Sequence, residues 1–444
     1  MTLIPYRSAL ERSWTTLDAE SLYQIGSWGK GYFAVSDSGH IVVRPEKIPE
    51  QEVDLLEIVE ELQQRGLTAP ILLRFSNLLT HRLRDLRDAF AAAMTENEYQ
   101  GRYLAVYPIK VNQQRSVVEE VYRYGGEYGF GLEVGSKPEL LAVMAIADDA
   151  EPRLIICNGF KDDDYIRSVT LAAKLGREIL PVVEKLDELD LILKHAKREG
   201  VRPRLGVRIK LAAEGAGRWR GSAGVKSKFG LFVGEVVEVL ARLEREGLGD
   251  CLELVHCHAG SQLHDMRRVK DAIGELSHVY AELVRMGATG LKYLDVGGGL
   301  GVDYDGSQTS FASSVNYTLE EYANEVIYRV ASVCADKNVP HPIIVTESGR
   351  ALAAYQSMLI VNVLGNSRLD DFEVSEDLDL VVEADPPQPV LDLVEAYKAL
   401  SERRVIECYH DAIQAHEQAQ SLFSVGYLSL EDRGLVERLF WKTC

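Results

Sequence analysis

"YLAVYPIKVNQQ" (residues 103–114) runs a strand-forming, mostly apolar segment straight into a lysine. Aromatic and β-branched residues favour extended chain, and the question is what kind of sheet ends a core strand on a cationic amine. The answer lies in the rhythm of the chain around it. Short apolar runs recur at 103–109, 128–133, 153–158, 178–183, 203–209, 252–258, 292–296 and 342–347. Helical patterns separate them: "KPELLAVMAIA" (137–147), "DELDLILKHAKREG" (187–200), "VGEVVEVLARLEREG" (233–247) and "TLEEYANEVIYRVASVC" (318–334). Strands alternating with helices imply parallel neighbours, because a parallel pair needs a crossover connection. Eight such units over roughly 250 residues match a closed α/β (β/α)8 TIM barrel; an open doubly wound sheet is the alternative.

Outside the barrel the pattern changes. "GYFAVSDSGHIVVRP" (31–45) reads as a hairpin, and "QEVDLLEIVEELQQRG" (51–66) as a helix with a glycine stop. "PILLRF" (70–75) is a ninth candidate strand, assigned to a connection with a small β domain, before a long helical pattern at about 80–98. Residues 212–230 form a Gly-rich loop, and 374–393 are acidic and then Pro-rich, followed by helical segments. The domain reading is 1–79 as an N-terminal segment contributing to the β domain, 80–355 as the barrel and 356–444 as an insertion or helical extension.

Charge narrows the partners. A net charge of −19 disfavours phosphate-backbone binding, so nucleic acid is not an expected partner. No run approaches the ~18 apolar residues of a membrane span, and "MTLIPYRSALERSW" lacks a secretory h-region, so a cytosolic protein is expected. The six cysteines form no CxxC pair and are expected to be reduced.

In a barrel the C-terminal ends of the strands converge on one mouth. Those ends carry Lys110, Glu133, Asn158, Glu184, Arg208, His258, the glycines 297–299, and Glu347 with Arg350. Each is polar or glycine, the pattern of a lined pocket, although strands also end simply where polarity begins. "DVGGGLG" (295–301) offers clustered N–H groups suited to a phosphate, or serves the backbone alone. Arg350 adds a fixed cation and Ser261 a hydroxyl. A phosphate site opposite a strand-end amine suggests pyridoxal phosphate, with Lys110 bonding the aldehyde, Glu347 pairing with the pyridine nitrogen and His258 stacking on the ring. Taken alone, Lys110 fits a surface lysine, and His256 with His258 fit a satisfied core pair. For a metal at "HCH", no neighbouring acid or cysteine in the sequence completes a site.

The motifs "YPIKVNQQ", "GLEVGSKPEL", "CNGFKD", "PRLGVR", "SKFGL", "HCHAGSQ", "LDVGGGLGVDYDGS", "SVNYTLEEYANE" and "TESGRA", with "WGKGYFAV" at 28–35, resemble the biosynthetic arginine decarboxylases of the alanine-racemase-like, fold type III, pyridoxal-phosphate-dependent group. The resemblance implies decarboxylation of L-arginine to agmatine for polyamine synthesis. It implies Lys110 as the Schiff-base lysine, His258 on the ring, Glu347 at the pyridine nitrogen, and Ser261, Gly297, Gly298, Gly299, Gly349 and Arg350 around the phosphate. Glu133 joins the cofactor set, and Asp295, Gly301, Asp303 and Tyr304 the substrate contacts. Magnesium dependence and a dimer-based homo-oligomer are implied too, with the magnesium ligands unassigned. Family members carry a further C-terminal β domain with a "C-D-x-D-G"-like segment that reaches into a partner's site. This chain reads "ERLFWKTC" at 437–444, and a fragment, or a separately supplied β domain, is the expectation. A non-catalytic cofactor-binding chain, or a diaminopimelate or ornithine decarboxylase, are the alternatives.

Overall fold

The computed structural model describes residues 13–147, 152–212, 227–369, 386–400 and 405–444. Most of the Gly-rich stretch 212–230, and of the acidic part of 374–393, lies outside them. All eight expected runs are strands: β5 (Tyr103–Pro108), β6 (Gly131–Val134), β7 (Ile155–Cys157), β8 (Ile179–Val183), β9 (Leu205–Arg208), β10 (Leu252–His256), β11 (Tyr293–Asp295) and β12 (Ile343–Thr346). They pair in parallel in chain order, and β12 closes on β5 through Ile344–Tyr103 and Val345–Leu104, giving a closed barrel.

Side chains on a strand alternate between its two faces. Val106, Ile156, Leu180, Val182, Leu254, Tyr293 and Val345 fill the barrel interior, while Ala105, Tyr107, Leu132, Ile155, Val183, Val207, Val255 and Leu294 belong to the larger core shared with the outer helices. Capping fixes where those helices begin. Ser136 accepts the Glu139 N–H, Asp162 accepts that of Tyr165, and Thr318 forms a reciprocal capping box with Glu321. Each cap is worth about 1 kcal/mol and sets the turn leaving the preceding strand.

The N-terminal strands β1 (Phe33–Val35), β2 (Ile41–Val43) and β3 (Val53–Asp54) form an antiparallel sheet, with the first two as the hairpin expected at 31–45. The run at 70–75 contains β4 (Ile71–Arg74), which lies outside the barrel and pairs antiparallel with β13 (Ser357–Ile360). Asp85, on the helix Ser76–Glu96, ties this region down: Lys47 and Tyr32 both reach its Oδ2 at 3.1 Å. Val361–Cys444 is a separate compact unit. Its helices Gln388–Lys398, Val405–Ser424 and Leu430–Thr443 pack around Val390, Leu393, Ala412, Ala415, Ala419 and Leu439. Among the described residues no helix is long and apolar enough to cross a membrane.

Candidate active site at the barrel mouth

The alternation that fills the barrel also builds its mouth. Counting by two along a strand gives the polar residue at or just past its end: Gly131 to Glu133, Ile156 to Asn158, Val182 to Glu184, Gly206 to Arg208, Leu254 to His256 and His258, Tyr293 to Asp295, Val345 to Glu347, while Lys110 sits in the 3-10 turn Ile109–Val111 that follows β5.

Lys110 leads a row of contacts. Its Nζ, on a side chain 47 % exposed, lies 3.2 Å from Oε2 of the fully buried Glu133. The Nδ2 of Asn158 donates to Glu133 Oε1 at 2.9 Å and to Glu347 Oε1 at 2.7 Å. The Glu347 N–H donates to the Gly297 carbonyl at 2.8 Å, so the row ends at the glycine turn. Lysine and turn are thus linked through two carboxylates and one amide.

The turn is open on one side. A Cβ at Gly298 would sit 3.3 Å from the Glu347 carbonyl oxygen and 3.8 Å from His258 Nε2. Among the described residues, the N–H groups of Gly298 and Gly299 have no backbone acceptor. Arg350 donates from Nη2 to Ser261 Oγ at 2.9 Å and from Nη1 to Tyr304 Oη at 3.1 Å, while its buried Nε has no partner among the described residues. Gly349 lets this segment approach the Lys110 turn, since a Cβ there would press on Pro108 Cγ at 2.6 Å and Val111 Cγ2 at 2.7 Å. Free amides, a guanidinium with an unused N–H and space that a methyl would fill are a fit for a phosphate.

The electrostatics suit an amine and a pyridine ring. Burial, with the charge of Glu347, pushes the Glu133 carboxyl up to about 7. Burial, then the neighbouring Asp295, also raises Glu347. Desolvation pulls the Lys110 ammonium down, but the attraction of Glu133 and Glu347 outweighs it and the net shift is upward. His258 is held well below its ordinary range by burial and by the charges of Arg208 and Lys110, so it stands as a neutral ring.

The expected substrate contacts do not all meet the mouth. Asp295, expected among the substrate contacts, is fully buried: Oδ1 accepts the Gly297 N–H at 2.8 Å and Oδ2 lies 2.9 Å from His256 Nδ1. Burial pushes it up to about 7. Asp303 is spent on Lys30 at 2.9 Å and Ser314 Oγ at 2.7 Å, and the Gly301 N–H donates to Tyr317 Oη. Tyr304, half-exposed, stays at the rim through Arg350. His256 and His258 are not a mutually satisfied core pair. Instead His256, Asp295 and Glu347 converge, so acids distant in sequence do complete a set of three possible metal ligands, contrary to the expectation for "HCH". The Arg208–Glu184 pair at 3.2 Å closes the opposite side, with Glu184 also accepting the Gly159 N–H.

Comparison with known proteins bears on the family and the fold. Residues 83–354 match the pyridoxal-dependent decarboxylase, pyridoxal binding domain, and residues 383–444 the arginine decarboxylase helical bundle domain. The chain is 47 % identical to a biosynthetic arginine decarboxylase of Rhodopirellula baltica, covering 98 % of this chain and 69 % of that protein. It is 44 % identical to the one of Gloeobacter violaceus, covering 98 % and 66 %. Thus it spans about two thirds of the length of these relatives. The crystal structure of the biosynthetic arginine decarboxylase from Campylobacter jejuni superposes with a TM-score of 0.76 at 32 % identity, covering 95 % of this chain and 68 % of that one. A diaminopimelate decarboxylase from Helicobacter pylori, at 23 % identity and a TM-score of 0.56 over 70 % of each chain, shares the fold.

Proposed function

The chain belongs to the biosynthetic arginine decarboxylases, a family of pyridoxal-dependent decarboxylases, and on that premise we propose that its barrel mouth converts L-arginine to agmatine and carbon dioxide for polyamine synthesis. The observation that carries this reading is the unbroken row from Lys110 through Glu133, Asn158 and Glu347 to the glycine turn. Pyridoxal phosphate, when bound, supplies an aldehyde for an amine and a ring that withdraws electrons from the carbon losing its carboxylate.

The chain's own residues do the rest. Lys110 must lose a proton before its nitrogen can attack, and Glu133, at 3.2 Å and with its carboxyl raised to about 7, can take it. Glu347, fixed by Asn158, presents a carboxylate to the ring nitrogen. Arg350, Ser261 and the Gly298 and Gly299 amides would hold the phosphate, and the neutral His258 would lie beside the ring without adding charge. Overall, one proton replaces the carboxylate on Cα.

The resemblance also brings magnesium, a dimer-based assembly and a cytosolic setting into this reading. The three residues that could hold an ion, His256, Asp295 and Glu347, are all buried and include an imidazole. Magnesium prefers oxygen ligands and keeps several waters, so this group does not fit it and no step runs through it.

The test is to load the chain with pyridoxal phosphate, reduce it with borohydride, map the modified residue and assay agmatine from arginine. A modified Lys110 with agmatine release is expected. An adduct elsewhere, or turnover of diaminopimelate or ornithine in place of arginine, overturns the reading. Cofactor trapped on Lys110 without turnover of any of the three identifies a non-catalytic binding chain.

A further inference from the structure

One buried side chain joins both working carboxylates and has no role of its own in the proposed reaction. We infer that Asn158 is a positioning residue, whose single amide nitrogen locks the carboxylate beside Lys110 and the carboxylate of Glu347 into one unit; this rests on the proposed function of the mouth.

Asn158 directly follows β7, is 4 % exposed and continues the inward face of Ile156. Its Nδ2 carries two hydrogens and meets two acceptors, Glu133 at 2.9 Å and Glu347 at 2.7 Å. The amide nitrogen faces both acids, and toward an ionised carboxylate, which only accepts, that is the orientation that makes both hydrogen bonds. The other end of the same group is different. Asn158 Oδ1 is buried and has no partner among the described residues. A residue kept for the fold alone would satisfy its acceptor as well. Here the donor is fully used on the two acids, and the acceptor is left over.

The backbone beneath it is held separately. Lys161 is enclosed and donates to the Gly159 carbonyl at 2.7 Å, with Glu188 Oε2 at 3.4 Å, while the Gly159 N–H donates to Glu184. The turn therefore keeps its place without help from the Asn158 side chain. Glu133 and Glu347 come from the second and last strands of the barrel, and this amide bridges them. Without its hydrogens, two buried carboxylates face each other, and the lower-energy answer is for one to swing away or take up a proton. In either case Glu347 no longer meets the ring nitrogen as a fixed acceptor.

Asn158→Asp keeps the size and replaces the donor with an acceptor; Asn158→Ser removes the reach without adding a charge. Each is compared with the wild-type chain for melting temperature, pyridoxal phosphate retention by dialysis, Lys110 trapping by borohydride, and kcat and KM for arginine. For both variants the expected result is a retained fold and a trapped Lys110, with kcat lower by about 10- to 100-fold and KM within about threefold. A kcat within about twofold of wild type in both overturns the inference. So does a loss of activity that follows cofactor loss alone, the cofactor-loaded fraction turning over at the wild-type rate, because that is a merely structural role. If the wild-type chain traps cofactor but is inert toward arginine, the visible absorbance of the bound cofactor is titrated against pH. A shifted midpoint in Asn158→Asp supports the inference and an unchanged one overturns it. A wild-type chain that traps no cofactor removes the reading of the mouth itself, and the inference with it.

Discussion

Replacing Gly298 with alanine separates the scaffold of the glycine turn from its use. The added methyl would lie 3.3 Å from the Glu347 carbonyl oxygen, 3.8 Å from His258 Nε2 and 3.9 Å from the Gly260 carbonyl oxygen. Those contacts are tight but not overlapping, so the folding cost is about 1 kcal/mol, a few degrees of melting temperature in a chain this long. The space it takes is the space assigned to the phosphate. Displacing that group from one or two charge-assisted N–H bonds costs about 1.5–3 kcal/mol, or roughly 10- to 100-fold in cofactor affinity. Gly297→Ala is the control with the opposite balance. Its backbone has φ +67° and its Cβ would overlap the Cys257 carbonyl, so folding itself is lost or weakened by more than about 3 kcal/mol. Dialysis against pyridoxal phosphate measures affinity and calorimetry measures stability. Wild-type affinity in Gly298→Ala, with the fold intact, refutes the turn as the phosphate cradle.

Three further outcomes are expected. Arg350→Met removes the donors now on Ser261 and Tyr304 and should weaken pyridoxal phosphate binding by about 100-fold, equivalent to about 2–3 kcal/mol for a charged hydrogen bond, as read by the same dialysis. Glu347→Gln should retain the cofactor within about threefold yet lower kcat for arginine by about 100-fold or more, because the amide cannot keep the ring nitrogen protonated; an unchanged kcat removes Glu347 from that role. Glu133 and Asp295 are raised to about 7 by burial, well above their unfolded values, so the folded chain binds more protons between about pH 4 and 7. Cofactor-free stability should therefore fall as pH rises through that window and level off above it, and Asp295→Asn should flatten the fall in a calorimetric pH series.

Much of the fold was legible in the sequence because the signals were local. Each barrel strand is a short apolar run followed by a helical pattern, several of the helices with their own cap, and most of the polar strand ends follow from the same two-residue period that fills the interior. Applied strictly, that period also places Asp295 on the inward face of Tyr293, under the turn rather than at the rim, and marks Asn158, Glu184 and Arg208 as mouth residues. What local patterning does not carry is pairing across the chain. Ile71–Arg74 finds its partner at Ser357–Ile360, and Lys30 finds Asp303, through folding of everything between. The double donation of Asn158 is also beyond a strand-end reading, because it depends on Glu133 and Glu347 pointing toward one another from different strands.

The lysine at the end of the first barrel strand is best understood through the acids it faces. Glu133, Glu347 and Asp295 are all buried, and each is raised by burial, with Glu347 raised further by its acidic neighbour. One half-exposed ammonium cannot neutralise three such groups, so the protons are shared among carboxyls rather than fixed on one. That is a useful state for the chemistry proposed. Glu133 is the acid placed to accept the proton that Lys110 must lose, and an acid that regains its charge when a cation arrives can hold a protonated ring nitrogen. With alanine at these positions the desolvation that disfavours the ammonium would be unopposed, and Lys110 would hold its charge less firmly. The strand ends on an amine because the strands beside it supply the carboxylates that set its charge.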